Sequence, residues 1–243
     1  MQQYCELDTN KGKMRGYFHV PNKDKFPVVI MFHGFTGNCN GDKFSYVTLS
    51  RRLEEKGVGS IRLDFLGTGS SDLSFKEMTF DDELSCARII LEEMKSLESV
   101  TDIYVLGHSM GGCIASELSK LYPNDIKKMI LWAPAFNLPE ATKYLNNNET
   151  GKKYYDHNGF EISETFMIDI TSRNFYMSLD TFKNDILVIH GDQDTTVPYK
   201  ISENYMALFV NATLITIKGM NHTFDNVDHL NQLLNETEKF ILD

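Results

Sequence analysis

A serine in a glycine-flanked pentapeptide has the residue type and the setting of a nucleophile. Ser109 lies in Gly107–Gly111 (G-H-S-M-G), directly after the apolar run 103–106 and directly before the helix-like run 112–118. A G-x-S-x-G pattern between a strand and a helix holds its serine in a strained turn, so that the hydroxyl stands at the end of the strand. Glycines on both sides admit the close approach of strand and helix that this turn needs. The pentapeptide therefore predicts nucleophilic chemistry at Ser109.

Two later segments contain the partners that such a nucleophile requires. A serine hydroxyl reacts poorly at neutral pH, so it needs a base within hydrogen-bond reach and a third group that orients the base. Residues 190–198 (H-G-D-Q-D-T-T-V-P) offer the carboxylates of Asp192 and Asp194, and residues 219–224 (G-M-N-H-T-F) offer His222. Both segments follow predicted strands, and serine, aspartate, histidine is a known chain order for a catalytic triad. At this point the two aspartates compete for the orienting role.

Strands and helices alternate along most of the chain and place these segments. After an opening hairpin, apolar strands are separated by helix-like stretches, which implies right-handed parallel crossovers and a sheet covered on both faces. Ligands on such sheets bind beyond the carboxyl ends of the strands, and every candidate above directly follows a strand. The predicted strands are 3–7, 14–20, 28–32, 58–63, 102–106, 126–132, 186–190 and 212–217, and the predicted helices are 46–53, 80–97, 202–209 and 227–242.

One long segment interrupts this alternation. Residues 133–184 exceed the length of an ordinary connection and are rich in aromatic residues. We expect them to form an inserted cap over the site, with short helices or a small hairpin, while residues 1–132 and 185–243 form one α/β core. Its aromatic side chains could line an apolar slot or fill the cap's own core. They are Phe136, Tyr144, Tyr154, Tyr155, Phe160, Phe166, Phe175 and Tyr176.

Composition and charge argue against several classes of protein. The 243 residues carry a formal net charge of −10, with 42% hydrophobic and 24% charged residues, which argues against nucleic-acid binding. No apolar run approaches the roughly 20 residues that span a bilayer, and the first residues lack the pattern of a secretory signal. We therefore expect a cytoplasmic protein without a membrane partner. The cysteines have no metal-ligand spacing and are expected to be reduced: Cys5, Cys39, Cys86 and Cys113.

These motifs, in this order, resemble the α/β-hydrolase family over essentially the whole chain. In that family the acid lies in a G-x-x-D-x-x-V-P-like pattern and the histidine in a G-x-x-H-like loop, so the resemblance implies the triad Ser109, Asp194 and His222. Asp192 is then expected to order its turn. The resemblance also implies the fold: a mostly parallel, eight-stranded twisted sheet with helices on both faces and an inserted cap. The other histidines are expected to be packed or without a catalytic role: His19, His108, His157, His190 and His229.

A glycine-containing loop early in the chain has the position of an oxyanion-hole loop. Residues 33–37 (H-G-F-T-G) follow an early strand, where family members place their H-G-x loop. The resemblance implies that the backbone N–H groups of Phe35 and Met110 converge on the substrate carbonyl oxygen as it gains charge. A second glycine-rich stretch, 67–70, lacks the lysine that a phosphate-binding loop requires. We expect no cofactor and no metal ion.

Three further stretches narrow the resemblance. Residues 33–38, 62–72 and 133–135 look like those of the small bacterial cinnamoyl (feruloyl) esterases. This implies a serine carboxylic ester hydrolase that cleaves hydroxycinnamate esters through an acyl-enzyme intermediate. Such relatives often recognise the phenolic hydroxyl with a cap carboxylate and a tyrosine, for which Glu140 and Tyr144 are the candidates here.

Other activities on the same fold remain open from the sequence. They are an acylglycerol lipase, a thioesterase or a carbon–carbon bond hydrolase. A non-catalytic ligand-binding protein is a further alternative, although such proteins normally lack a triad member. The expected partner is a small-molecule ester, and a homodimer is left open.

Overall fold

An eight-stranded, mostly parallel sheet forms the centre of the structure, a computed structural model that describes residues 1–142 and 154–243. The strands are β1 (Gln2–Thr9), β2 (Gly12–His19), β3 (Phe26–Phe32), β4 (Gly59–Asp64), β5 (Val100–His108), β6 (Ile126–Trp132), β7 (Tyr154–His157), β8 (Phe160–Ser163), β9 (Asp185–Gly191) and β10 (Ala212–Ile217). The α-helices are α1 (Ser45–Glu55), α2 (Phe80–Ser96), α3 (Met110–Leu121), α4 (Leu138–Thr142), α5 (Glu164–Thr171), α6 (Lys200–Met206) and α7 (Val227–Leu242). Short 3-10 helices span Asp42–Phe44, Phe75–Glu77 and Leu179–Thr181.

The strand order brings the ends of β3, β5 and β9 to one edge of the sheet. In space the order is β1-β2-β4-β3-β5-β6-β9-β10. The pairings of β1 with β2 and of β2 with β4 are antiparallel, and the remaining pairings are parallel. Because parallel strands end on the same side, the loops after them meet there. The predicted α/β fold with a mostly parallel sheet is confirmed.

The two faces of the sheet are covered by separate layers. Along β3, Val28, Ile30 and Phe32 belong to one hydrophobic cluster, which includes side chains of α2 and α3. The intervening Val29 and Met31 belong to a second cluster, which includes side chains of α1 and α7. Successive side chains of a strand point to opposite faces, so a strand buried on both sides must be apolar throughout. The sequence F-P-V-V-I-M-F meets this requirement.

Smaller elements occupy the chain between β6 and β9. They are α4, an antiparallel hairpin of β7 and β8, and α5. Phe166 and Ile170 of α5 are buried, and Arg173 bonds to Asp81 at the start of α2 at 2.5 Å. Short helices or a small hairpin were expected at 133–184. That this segment acts as a cap distinct from the core stays a prediction.

The predicted elements differ from the observed ones mainly at their ends. The hairpin, each predicted sheet strand and each predicted helix are present. The helix predicted over 202–209 is displaced by two or three residues, since α6 spans Lys200–Met206. Among the helices that the structure describes, none combines the length and the hydropathy needed to cross a bilayer.

Candidate active site

Ser109 occupies a strained turn between β5 and α3. Its backbone angles are φ 56° and ψ −120°, a region that residues with a side chain seldom adopt. Two sets of hydrogen bonds hold it there. The Ser109 N–H donates to the carbonyl oxygen of Trp132 at 2.9 Å, and the Ser109 carbonyl oxygen accepts from the N–H groups of Gly112 and Ala135 at 2.9 and 3.1 Å. The turn predicted from the pentapeptide is therefore built as that pattern requires.

The two outer glycines of the pentapeptide are required by close backbone approach. A Cβ atom at Gly107 would lie 2.0 Å from the carbonyl oxygen of Gly111. A Cβ atom at Gly111 would lie 2.1 Å from the carbonyl oxygen of Phe32, at the end of the neighbouring strand. Such distances are impossible for a real side chain, so only glycine lets α3 start this close to the sheet.

Asp194 and His222 meet through a short hydrogen bond. His222 Nδ1–H donates to Asp194 Oδ2 at 2.6 Å, while Oδ1 accepts from the backbone N–H groups of Thr196 and Val197 at 2.9 and 2.8 Å. Burial by itself would raise the pKa of the Asp194 carboxyl, but the hydrogen bonds from His190, His222 and Val197 lower it below its usual range. The carboxylate is therefore ionised, and it fixes the imidazole with Nε2 available as a base.

The structure separates the two aspartates that the sequence left in competition. Asp192 is exposed, and its Oδ1 accepts from the backbone N–H of Gly219 at 2.6 Å. It therefore orders the turn. Asp194 is buried and is the carboxylate that bonds to His222.

A second histidine bonds to the same carboxylate. His190 Nε2–H lies 3.1 Å from Asp194 Oδ2 and 3.0 Å from the Val197 carbonyl oxygen, and His190 Nδ1 accepts from the hydroxyl of Ser202 at 2.6 Å. The sequence predicted a packed, hydrogen-bonded residue here but not its partner. The available signal was the four-residue spacing from Asp194 across the turn that follows β9.

Ser109 and His222 line one cavity of about 620 Å³. Ser109 is half-buried, and no hydrogen bond of its hydroxyl is found within the described parts of the chain. A serine side chain can change rotamer about χ1, and bonds between nucleophile and base commonly tighten only when substrate is present. The arrangement thus brings together an unengaged hydroxyl, an imidazole and a carboxylate at the carboxyl ends of three strands.

His33 orients the peptide that contains the Phe35 N–H. Its Nε2 accepts from the backbone N–H of Phe65 at 3.1 Å, so the proton is on Nδ1, which donates to the Gly34 carbonyl oxygen at 2.9 Å. The N–H of Gly37 donates to the same oxygen at 3.0 Å. In a trans peptide the C=O and N–H groups point in opposite directions, so the Phe35 N–H points away from the His33 ring.

The His33–Gly37 loop lies directly against the serine. A Cβ atom at Gly34 would be 3.1 Å from Ser109 Cβ and 3.7 Å from Ser109 Oγ. Met110 is the first residue of α3, and the first N–H groups of a helix have no partner within it. The backbone N–H groups of Phe35 and Met110 remain the predicted oxyanion donors.

One end of the cavity is aromatic and involves the segment between β6 and β9. The Phe35 ring stacks on Phe166 of α5, with centroids 5.2 Å apart, and lies 5.7 Å from the His157 ring of β7. Of the aromatic residues proposed for an acyl slot, Phe166 lines the cavity, whereas Phe136 and Phe175 lie in the buried core.

The structure locates only one of the two residues suggested for binding the phenolic hydroxyl. Glu140 on α4 is exposed and does not line the cavity. Tyr144 lies outside the described residues. Polar groups that do line the cavity include Asp42, His157 and Asn158. Asp42 begins a short 3-10 helix and the other two lie at a hairpin end, and none of them belongs to a motif that sequence reasoning could have used.

His108 packs against His222. Its Nε2–H donates to the His222 carbonyl oxygen at 3.0 Å, and the two rings are 4.8 Å apart. Burial, and after it the charge of His222, lowers the pKa of His108 to about 3, so the ring is neutral. No group of three histidine, cysteine, aspartate or glutamate side chains within residues 1–142 and 154–243 is arranged to hold a metal ion.

Comparisons with known proteins agree with this geometry. The family model described as serine aminopeptidase, S33 (Hydrolase_4) matches residues 23–153. Protein phosphatase methylesterase 1 of Candida albicans is 27% identical over 114 residues, 47% of this chain, and lipase 1 of Psychrobacter immobilis is 34% identical over 104 residues, 42% of this chain. The chain spans only 30% of the length of each. The solved structure of ferulic acid bound to Est1E from Butyrivibrio proteoclasticus superposes with a TM-score of 0.90 at 29% identity, covering 98% of both chains.

Proposed function

This chain belongs to the serine aminopeptidase, S33 (Hydrolase_4) family of α/β-hydrolases, and we propose that it is a serine carboxylic ester hydrolase. The observation that carries the proposal is the 2.6 Å hydrogen bond between His222 and Asp194 at the cavity that also contains Ser109 in its strained turn. These are the groups that acyl transfer to a serine requires.

In the acylation half, Ser109 Oγ attacks the ester carbonyl carbon while its proton moves to His222 Nε2. The Asp194 carboxylate stabilises the imidazolium that results. The carbonyl oxygen gains negative charge and accepts from the N–H groups of Phe35 and Met110, each worth about 3 kcal/mol in comparable sites. Collapse of this intermediate breaks the bond to the leaving oxygen, which takes the proton from His222 and departs as the alcohol.

The deacylation half repeats the same proton transfers with water. Water attacks the carbonyl carbon of acyl-Ser109 and passes a proton to His222 Nε2. Collapse of the second oxyanion then releases the carboxylic acid, and the proton returns to Ser109 Oγ. Each group ends in its starting protonation state.

We place the acyl group at the aromatic end of the cavity, beneath a cap formed by residues 133–184. A planar hydroxycinnamoyl group fits the stacked pair of Phe35 and Phe166, because flat rings gain from offset or edge contacts with aromatic side chains. Est1E, whose solved structure contains ferulic acid, supports this acyl class at 29% identity. Hydroxycinnamate esters are therefore the proposed substrates.

An acylglycerol or other aliphatic ester is the second candidate. Leu138, Ala141 and Ile162 line the same cavity and offer an aliphatic surface, and one relative is a lipase. A panel of methyl ferulate, a monoacylglycerol, an acyl thioester and p-nitrophenyl butyrate separates these activities. Preference for aliphatic acyl groups would replace the hydroxycinnamate proposal with this one.

The variant Ser109→Ala tests the chemistry itself. It should abolish hydrolysis of every ester in the panel while its melting temperature stays close to that of the wild type. A fluorophosphonate probe should label Ser109 in the wild type, detected by mass spectrometry of the peptide. Full turnover by the variant, or no adduct on the wild-type serine, would contradict a serine hydrolase.

A further inference from the structure

One side of the cavity carries a negatively charged side chain. Among the lining residues that the structure describes, Asp42 is the one carboxylate, and there is no lysine or arginine. Its side chain is 44% exposed. The Lys43 ammonium forms its ion pair with Asp225 at 3.0 Å, so its charge acts on Asp42 only from a distance. Among the described residues, no lysine or arginine forms an ion pair with Asp42.

The ring nitrogen nearest to Asp42 adds a second hydrogen-bond acceptor. Asp42 Oδ2 lies 3.4 Å from His108 Nδ1. Because His108 Nε2 faces the His222 carbonyl oxygen, which can only accept, Nε2 must carry the ring proton. In the neutral ring, Nδ1 then presents a lone pair. Two hydrogen-bond acceptors thus lie 3.4 Å apart, and no donor from the described residues forms a hydrogen bond to either of them.

This pair lies on the side where the leaving alcohol must be. His222 gives its proton to the leaving oxygen, so the alcohol moiety departs next to the His222 ring. His108 packs against that ring at 4.8 Å and connects it to Asp42. The aromatic residues Phe35 and Phe166 close the other end of the cavity.

We propose that Asp42 and His108 Nδ1 form a subsite for the alcohol moiety that accepts hydrogen bonds from it. Alcohols with donor groups, either a protonated amine or vicinal hydroxyls, are preferred over alkyl alcohols of the same shape, and alcohols with a carboxylate are disfavoured. The inference rests on the proposed esterase function, because that function decides which end of the cavity receives the alcohol.

Isosteric esters of ferulic acid test the preference with charge as the main difference. The 2-(dimethylamino)ethyl ester is protonated at neutral pH and matches the 3-methylbutyl ester in shape. We expect kcat/KM to favour the charged ester about three- to tenfold, the range of a partly exposed ionic hydrogen bond, and the ratio to shrink at high salt. The 2,3-dihydroxypropyl ester against the 2-methylbutyl ester tests hydroxyl donors in the same way and shows which donor is preferred.

The variant Asp42→Asn assigns the effect to this residue. It removes the charge and supplies an amide donor that can satisfy His108 Nδ1, so the ratio for the charged ester should fall to about one and the ratio for the diol ester should fall. Asp228→Asn is the matched control, because it removes the same charge from an exposed carboxylate that does not line the cavity. Ratios near one in the wild type, or unchanged ratios in Asp42→Asn, would overturn the subsite.

Binding to the Ser109→Ala protein separates this inference from the proposed function. Calorimetry gives the Kd of each isosteric ester without turnover, and the same preference for the charged ester is expected. If the wild type hydrolyses no ester but binding still depends on Asp42, the esterase proposal fails and the donor-accepting site stands. If turnover occurs and binding shows no preference, the subsite fails alone.

Discussion

Replacing Glu83 should stabilise the protein increasingly as pH rises. Glu83 lies in α2 with 1% of its surface exposed, and neither carboxyl oxygen has a hydrogen-bond partner among the described residues. Burial, and after it the charge of Asp82, raises the pKa of the Glu83 carboxyl well above its usual range. The carboxyl is therefore protonated in the folded protein under conditions where the unfolded chain ionises it.

The sign and size of the effect follow from proton linkage. Above the ordinary glutamate pKa of about 4.3, the folded state holds a proton that the unfolded state has lost, so stability falls as pH rises. The loss from this one group reaches up to about 1.4 kcal/mol per pH unit until the folded-state group also ionises. Glu83→Gln has no such proton, so its advantage over the wild type should grow by up to about 2.7 kcal/mol between pH 6 and pH 8.

A second substitution at the same position separates ionisation from buried polarity. Glu83→Met removes the unpaired polar atoms as well, so it should exceed Glu83→Gln by about 1–3 kcal/mol, with little dependence of that difference on pH. Urea denaturation followed by circular dichroism at pH 5, 6, 7 and 8 measures both differences. Glu93→Gln, on the exposed side of α2, is the control for lost negative charge.

If the free energy of unfolding of Glu83→Gln runs parallel to that of the wild type from pH 5 to pH 8, Glu83 does not change its ionisation on folding. A stabilisation equal to that of Glu93→Gln would point to net charge instead.

Two further substitutions test the geometry of the active site. Gly34→Ala places a Cβ atom 3.1 Å from Ser109 Cβ. We expect kcat/KM for p-nitrophenyl butyrate to fall about 100-fold, the scale of one lost oxyanion donor. Unchanged kinetics would show that this loop does not contribute to the proposed oxyanion hole. His190→Leu removes one donor from Asp194, so kcat/KM should fall about tenfold. The acid limb of the pH profile of kcat/KM should also move to higher pH, because the Asp194 carboxylate then attracts the His222 proton more strongly. His190→Gln keeps a donor and should restore part of the rate, whereas a lower rate with an unmoved limb would indicate a structural role only.

The fold was predictable because its signals are local. Alternation of apolar strands with amphipathic helices needs only short windows of sequence, and both the hairpin at the first two strands and the parallel strands appeared where expected. The turn at Ser109 was equally predictable from the sequence, because the glycines that this turn requires lie within two residues of Ser109. Segment ends shifted by a few residues, since capping depends on tertiary contacts.

The parts of the site that escaped prediction depend on distant contacts. Asp42 lines the cavity because of the conformation of a short 3-10 helix, and His157 because of the conformation of a hairpin. The sequence carries no periodic signal for either conformation. Glu140 was suggested by analogy, but α4 turns its side chain to the solvent. The hydrogen bond from His190 to Asp194 joins residues that are close in sequence. The burial of both side chains, which the sequence does not show, strengthens this hydrogen bond.

Separate sets of hydrogen bonds hold His222 and the Ser109 backbone in place. Asp194 accepts from two ring nitrogens and two backbone N–H groups, so its orientation and charge are set before substrate arrives. Three hydrogen bonds hold the Ser109 backbone, so in the proposed mechanism only the side-chain rotamer has to bring Oγ close to His222 Nε2. Preorganised charge costs nothing at the moment of reaction. In the proposed alcohol subsite, selectivity comes from acceptors that have no donor among the described residues, and Asp42 and His108 Nδ1 are such a pair in the cavity.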